Sequence, residues 1–198
     1  MNYQAKITKE EIESLPVLSY PGRQVTVVET TVAMEEAYRV LVQSPLIGFD
    51  TETKPSFVKG VTNKVALVQL STADHCYLIR VHKLGFPKAL VALLSDARLL
   101  KVGLSLRDDF RAMSRRMQFQ PAGFVDLQNE VGKVGIEDLS LQKIYAIMFG
   151  KKISKSQRLT NWEASSLTEP QQFYAAIDAW ACMDIWQQLK RDLCLTNQ

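Results

Sequence analysis

The chain has 198 residues, which at roughly 100–200 residues per domain predicts a single unit. Hydrophobic residues make up 46% and charged residues 23%, an ordinary globular balance that excludes collagen-like, disordered and disulfide-framework chains. Lys plus Arg number 24 against 21 Asp plus Glu, and a formal charge of +3 does not by itself mark a nucleic-acid binder.

Cys76, Cys182 and Cys194 are scattered, and with His75 and His82 they give no zinc-binding spacing. They read as reduced thiols. The first fifteen residues are too polar for a signal peptide, and no apolar run approaches a membrane span. The expectation is a cytoplasmic protein with no membrane association.

Residues 1–23 read as an N-terminal appendage to a domain over 24–198. Thr8-Lys9-Glu10-Glu11 matches a capping box and predicts a short helix, after which Pro16, Pro21 and Gly22 interrupt regular structure. Val25, Val27 and Val28 predict a strand, and Ala33, Ala37, Val40 and Leu41 follow at helical spacing. Strands are predicted over 46–52, 64–71 and 76–81, the last two joined by Thr72-Ala73-Asp74-His75, which suits a hairpin. Phe86, Leu90, Leu93 and Leu94 share one helix face. A strand over 100–104 precedes an amphipathic helix set by Leu106, Phe110, Met113 and Met117, and 123–127 is a last short strand. Leu141, Ile144, Tyr145 and Met148 mark a helix that Gly150 should end. After a basic loop, Thr168 with Gln171 caps a long final helix. This order predicts an α/β fold with a mixed sheet of five or six strands flanked by helices.

Asp50 and Glu52 end the apolar strand Leu46-Ile47-Gly48-Phe49, and period two places both carboxylates on one face. Alone, such a pair is common and reads as a strand running out into solvent. Asp109 follows a second apolar strand, in the first turn of its helix, and Asp178 lies in the last helix, one turn after Tyr174. Sites in open α/β sheets collect at the carboxyl ends of strands. Hard divalent cations prefer all-oxygen ligands, and two of them about 4 Å apart clamp an in-line displacement at phosphorus. The helical wheel puts Asp178 and Asp184 both near the apolar stripe and does not choose between them. For Asp108 and Asp109 it does choose: Asp109 flanks the buried face, while Asp108 points to water, within reach of an i, i+3 pair with Arg111.

Phe49-Asp50-Thr51-Glu52-Thr53, Val102-Gly103-Leu104-Ser105-Leu106-Arg107-Asp108-Asp109 and Tyr174-Ala175-Ala176-Ile177-Asp178-Ala179 resemble the three motifs of the DEDD 3'-5' exonucleases. That superfamily also contains ribonuclease D, and the segments Lys64–Leu70 and Lys155–Trp162 resemble the Werner-syndrome-type exonuclease domain in particular. Tyr174 stands four residues before Asp178, as in the tyrosine branch of that superfamily. The resemblance implies a ribonuclease H-like three-layer fold and a 3'-5' exonuclease that releases nucleoside monophosphates from a DNA or RNA 3' end. It also implies two divalent cations, Mg²⁺ or Mn²⁺, held by Asp50, Glu52, Asp109 and Asp178, with Tyr174 orienting the attacking water. Thr51, Thr53 and Leu104 would touch the terminal nucleotide, and Lys155 and Arg158 would contact phosphate. Arg115 and Arg116 read as a solvated charged face, and Trp162 as a buried anchor of its loop rather than a stacking face. A catalytically weak or inactive nucleic-acid-binding relative is the alternative reading. The length leaves no room for a further nucleic-acid module, so targeting is expected to use a separate protein.

Overall fold

The computed structural model describes residues 3–56 and 63–196. Six strands form one sheet: β1 (Gln24–Val28), β2 (Ile47–Thr53), β3 (Val65–Ser71), β4 (His75–Ile79), β5 (Lys101–Gly103) and β6 (Phe124–Asp126), in the order β1-β4-β3-β2-β5-β6. β2, β3 and β4 are antiparallel neighbours, and β1, β5 and β6 add in parallel. The helices are α1 (Lys9–Ser14), α2 (Thr31–Leu41), α3 (Val81–Leu84), α4 (Lys88–Ser95), α5 (Leu106–Ser114), α6 (Leu141–Phe149) and α7 (Glu169–Thr196). All six predicted strands form, and among the described residues the mixed sheet has these six.

Two apolar layers sandwich the sheet. On one face Met34 and Leu41 of α2, Leu90 and Leu94 of α4, and Leu106 and Met113 of α5 cover Phe49, Val68 and Ile79. On the other, α7 lays Ala175, Ala176, Ala179 and Trp180 over Leu67, Leu78 and Val102. The small side chains of α7 let its backbone ride close to β2. At Gly48 an added Cβ would lie 2.1 Å from the Ala179 carbonyl oxygen, so only glycine fits there.

Register fixes which residues surround the end of β2. Asp50 stands opposite Gln69 and Glu52 opposite Leu67, with an irregularity between Glu52 and Thr53. β5 pairs with β2 only at Ile47 and Gly48. Beyond Gly48 that edge of β2 is therefore free of β5, and the chain leaving Gly103 turns into α5 beside it.

Several local expectations differ: Phe86 precedes α4 rather than joining its face, and Met117 lies beyond the end of α5 and is exposed. Val81, read as strand, opens α3, because Lys83 N and Leu84 N donate to the Arg80 carbonyl and curl the chain just past β4. Two 3₁₀ turns over Leu127–Asn129 and Val131–Val134 follow β6, too short to leave an apolar period in the sequence. The N-terminal segment is docked: Ile7 and Ile12 pack with Ala146, and the Tyr20 hydroxyl donates to Asp184 at 2.5 Å.

Candidate active site

Carboxylate oxygens of Asp50, Glu52 and Asp178 lie within 4.8 Å of one another. Period two along β2 turns Asp50 and Glu52 toward α7, and the close approach at Gly48 brings Asp178 down onto them. The choice that the helical wheel left open is settled by geometry. Asp184 accepts hydrogen bonds from Tyr20 and Tyr145 and does not reach the cluster, whereas Asp178 is buried within it.

Thr51 points to the opposite side of the strand, where its hydroxyl donates to Asp109 Oδ1 at 2.5 Å. The fourth acid thus stands beside the end of β2 rather than inside the three-acid group. Asp109 is half-buried and Asp108 exposed, as the wheel predicts. The expected pair between Asp108 and Arg111 does not form; Asp108 instead takes a long hydrogen bond of 3.5 Å from the Ser105 hydroxyl. The exposed arginine gains too little from so weak a surface pair to hold one geometry.

The turn that aims Asp109 depends on a residue outside the expected set. Ser105 has φ 61° and ψ 34°, the left-handed region, which a non-glycine residue occupies at a cost. Asp126, at the end of β6, accepts from Ser105 N at 3.1 Å and from Leu106 N at 2.9 Å, holding the turn and the start of α5. Its signal in the sequence was its place at the carboxyl end of a strand, the same signal that marked Asp50.

Electrostatics show what the acid group lacks. Burial, and then the Asp178 charge, raises the Asp50 carboxyl well above the usual carboxylate range. Burial and the neighbouring charges of Asp50, Asp178 and Asp109 push Glu52 up to about 10. Burial takes Asp178 to about 7; burial and then Asp50 take Asp109 to about 8, against the opposing hydrogen bond from Thr51. Four carboxyl groups that resist ionising together are short of positive charge. An all-oxygen donor set of this kind fits a hard divalent cation. Tyr174 is half-buried, and burial and then the Asp178 charge raise its phenol, so it stays protonated at neutral pH.

Two cavities flank the acids. Asp50, Asp178 and Tyr174 line one of about 250 Å³, together with Leu104, Lys155 and Arg158. Glu52 and Asp109 line the other, of about 430 Å³, with Thr51, Thr53, Arg111 and Arg115. Every residue named from sequence for substrate contact therefore borders one of these cavities. The basic helix face needs correction at Arg116, which donates to the Val65 carbonyl and pairs with Glu163 at 3.5 Å, whereas Arg115 borders the second cavity. Arg115 is exposed, as expected, and only Arg116 is drawn in from solvent. Trp162 is fully buried, its ring centroid 6.0 Å from that of Tyr174, so it anchors the loop and backs the tyrosine. Arg80 was missed: fully buried, it donates to the carbonyls of Ala164 and Ser165 and fixes the chain just after Trp162.

A 3'-5' exonuclease family model matches residues 25–194. The chain is 32% identical over 197 residues to the Mus musculus bifunctional 3'-5' exonuclease/ATP-dependent helicase WRN, covering 94% of this chain and 14% of that protein. It is 31% identical over 150 residues to an Arabidopsis thaliana 3'-5' exonuclease, covering 73% of this chain and 52% of the other. It thus spans only part of the length of either curated relative. Among solved structures, the Aedes aegypti Nibbler EXO domain superposes with a TM-score of 0.79 at 22% identity, over 91% of this chain and 93% of that one. With its three acidic motifs in order and Tyr174 four residues before Asp178, the chain belongs to the 3'-5' exonuclease domain family, in the tyrosine branch of the DEDD superfamily.

Proposed function

We propose that this chain is a metal-dependent 3'-5' exonuclease that hydrolyses the terminal phosphodiester of DNA or RNA. The observation that carries this reading is the convergence of Asp50, Glu52 and Asp178 oxygens within 4.8 Å. Three crowded carboxylates repel one another, and a shared cation relieves that repulsion with all three ionised. Asp50, Glu52 and Asp178 would hold one divalent ion; Asp50, shared, and Asp109 would serve a second, Mg²⁺ or Mn²⁺ in each case. Bound there, such ions supply positive charge that polarises phosphoryl oxygens and favours ionisation of water.

The remaining work falls to this chain's own groups. Tyr174, protonated because its pKa is raised, orients the attacking water through its hydroxyl rather than taking its proton. Lys155 and Arg158 bind phosphate, and Leu104, Thr51 and Thr53 bracket the terminal nucleotide through apolar surface and backbone. The oxygen of water adds to phosphorus and the bond to the 3' oxygen of the preceding nucleotide breaks. A nucleoside 5'-monophosphate leaves, and the shortened strand keeps a free 3' hydroxyl.

Oligonucleotides labelled at either end distinguish this reading from a relative that binds without cutting. A 3' label should appear as mononucleotide in the first turnover, and a 5' label in a ladder that shortens gradually. Internal fragments, or no cleavage with either ion, contradict the proposal.

A further inference from the structure

The cavity lined by Asp50, Tyr174 and Asp178 has a neighbour on the far side of Lys155. Five residues of its wall, Ser140, Gln142, Ile153, Ser154 and Lys155, also form one wall of a neighbouring cavity of about 460 Å³. The far wall of that second cavity comes from the N-terminal segment, through Lys9, Ile12, Glu13 and Val17.

This wall is built into the fold. Thr8 caps α1 in a full capping box, and Ile7 and Ile12 pack with Ala146 of α6. Val17 bridges to Lys152 backbone to backbone, and Lys152 Nζ donates to the Glu13 carbonyl at 2.6 Å. The segment is thereby held at a fixed place relative to Lys155.

Its chemistry is lopsided. Lysines 9, 143, 152 and 155 line the cavity against a single acid, Glu13. Lys143 is taken up by Asp138 at 2.7 Å, and Lys152 lies 3.8 Å from Glu13. Lys9 and Lys155 have no ion-pair partner among the described residues. Between the lysines, Val17 is 57% exposed and supplies the apolar surface, while Ile153 is buried. Unpaired ammonium groups alternating with apolar surface suit a phosphodiester backbone whose bases rest on the apolar parts. The two cavities lie side by side along that shared wall, each of a few hundred Å³, a scale that suits a single strand.

We propose that the N-terminal segment is the outer half of a single-strand groove. A nucleic-acid strand with its 3' end at Asp50 runs past Lys155 into the cavity beneath Lys9. This inference rests on the reading of Asp50 as the site of 3'-end binding.

The test is binding without cleavage. Fluorescence anisotropy of 5'-labelled trimers and decamers, DNA and RNA, is followed in EDTA with Asp50→Asn protein as the parent. The decamer should bind about tenfold tighter than the trimer. Adding Lys9→Glu should remove at least about threefold of that gain and leave the trimer unchanged. It should also flatten the decamer's salt dependence by about one phosphate contact. Glutamate suits the first turn of α1, so the variant should fold, and an unchanged melting temperature checks this. Equal binding of trimer and decamer by the parent, or a Lys9→Glu decamer affinity equal to the parent's, overturns the groove. Binding that follows the expected pattern while wild type fails to cut with Mg²⁺ or Mn²⁺ would sink the exonuclease reading and leave the groove standing.

Discussion

Asp50, Thr51 and Glu52 are consecutive, yet alternation along β2 gives them to two sides of one strand end. The outer two meet Asp178, while Thr51 meets Asp109. Adjacent acids in α5 are separated by the same geometry. Asp109→Asn should cut the cleavage rate by about a hundredfold or more, the scale of removing one electrostatic contact at a reacting phosphate. Asp108→Asn should stay within about twofold in the same assay; the reverse ranking would mean that α5 presents its other face. The raised carboxyl groups also set a pH dependence. A carboxyl whose folded pKa exceeds its unfolded value, near 4, favours folding while protonated. That contribution is lost as pH rises toward the raised values, about 7 for Asp178 and about 8 for Asp109. In EDTA the melting temperature should therefore fall between pH 6 and pH 9, and added Mn²⁺ should raise it more at pH 9 than at pH 6. A metal-induced rise that is no larger at pH 9 would count against these acids as the ligands.

At the scale of elements, the position of α7 over β2 decides whether the acids meet. Gly48→Ala drives a methyl group into the Ala179 carbonyl, and either the helix lifts or the strand bends. Overpacking of this kind costs about 1–3 kcal/mol, and here it also separates Asp178 from Asp50. The variant should melt several degrees lower and lose most Mn²⁺ affinity by titration calorimetry; unchanged affinity would show that the helix does not set the spacing. The strands and the three acidic motifs were legible in sequence because each is local. Apolar runs end in turn residues, and each acid sits at a strand end or at fixed helical spacing. What was not legible depends on distant partners. Asp126 holds the turn at Ser105 from 21 residues away, and Arg80 fixes the chain at Ala164 across 84. The chain 3–23 is docked through contacts equally distant in sequence, Ile12 with Ala146 and Tyr20 with Asp184, the latter 164 residues apart. Sequence periodicity carries no information at such separations.

The whole molecule spreads a modest charge unevenly. Its net +3 hides a buried knot of carboxylates at the sheet end, ringed by Arg111 and Arg115 on one cavity and by Lys155 and Arg158 on the other. Such an arrangement draws a polyanion toward a centre that repels it unless cations intervene. Association should weaken with salt, and cleavage should depend absolutely on metal. The most direct measurement is one gel of 5'-labelled oligonucleotide digested by wild type and Asp50→Asn, each with Mg²⁺, Mn²⁺ or EDTA. Wild type should shorten the strand from its 3' end with either ion and not at all in EDTA, while Asp50→Asn, folded and at least as heat-stable without metal, should leave it whole in every lane. Shortening by Asp50→Asn at the wild-type rate, or by wild type in EDTA, would contradict the assignment of these carboxylates as the metal centre.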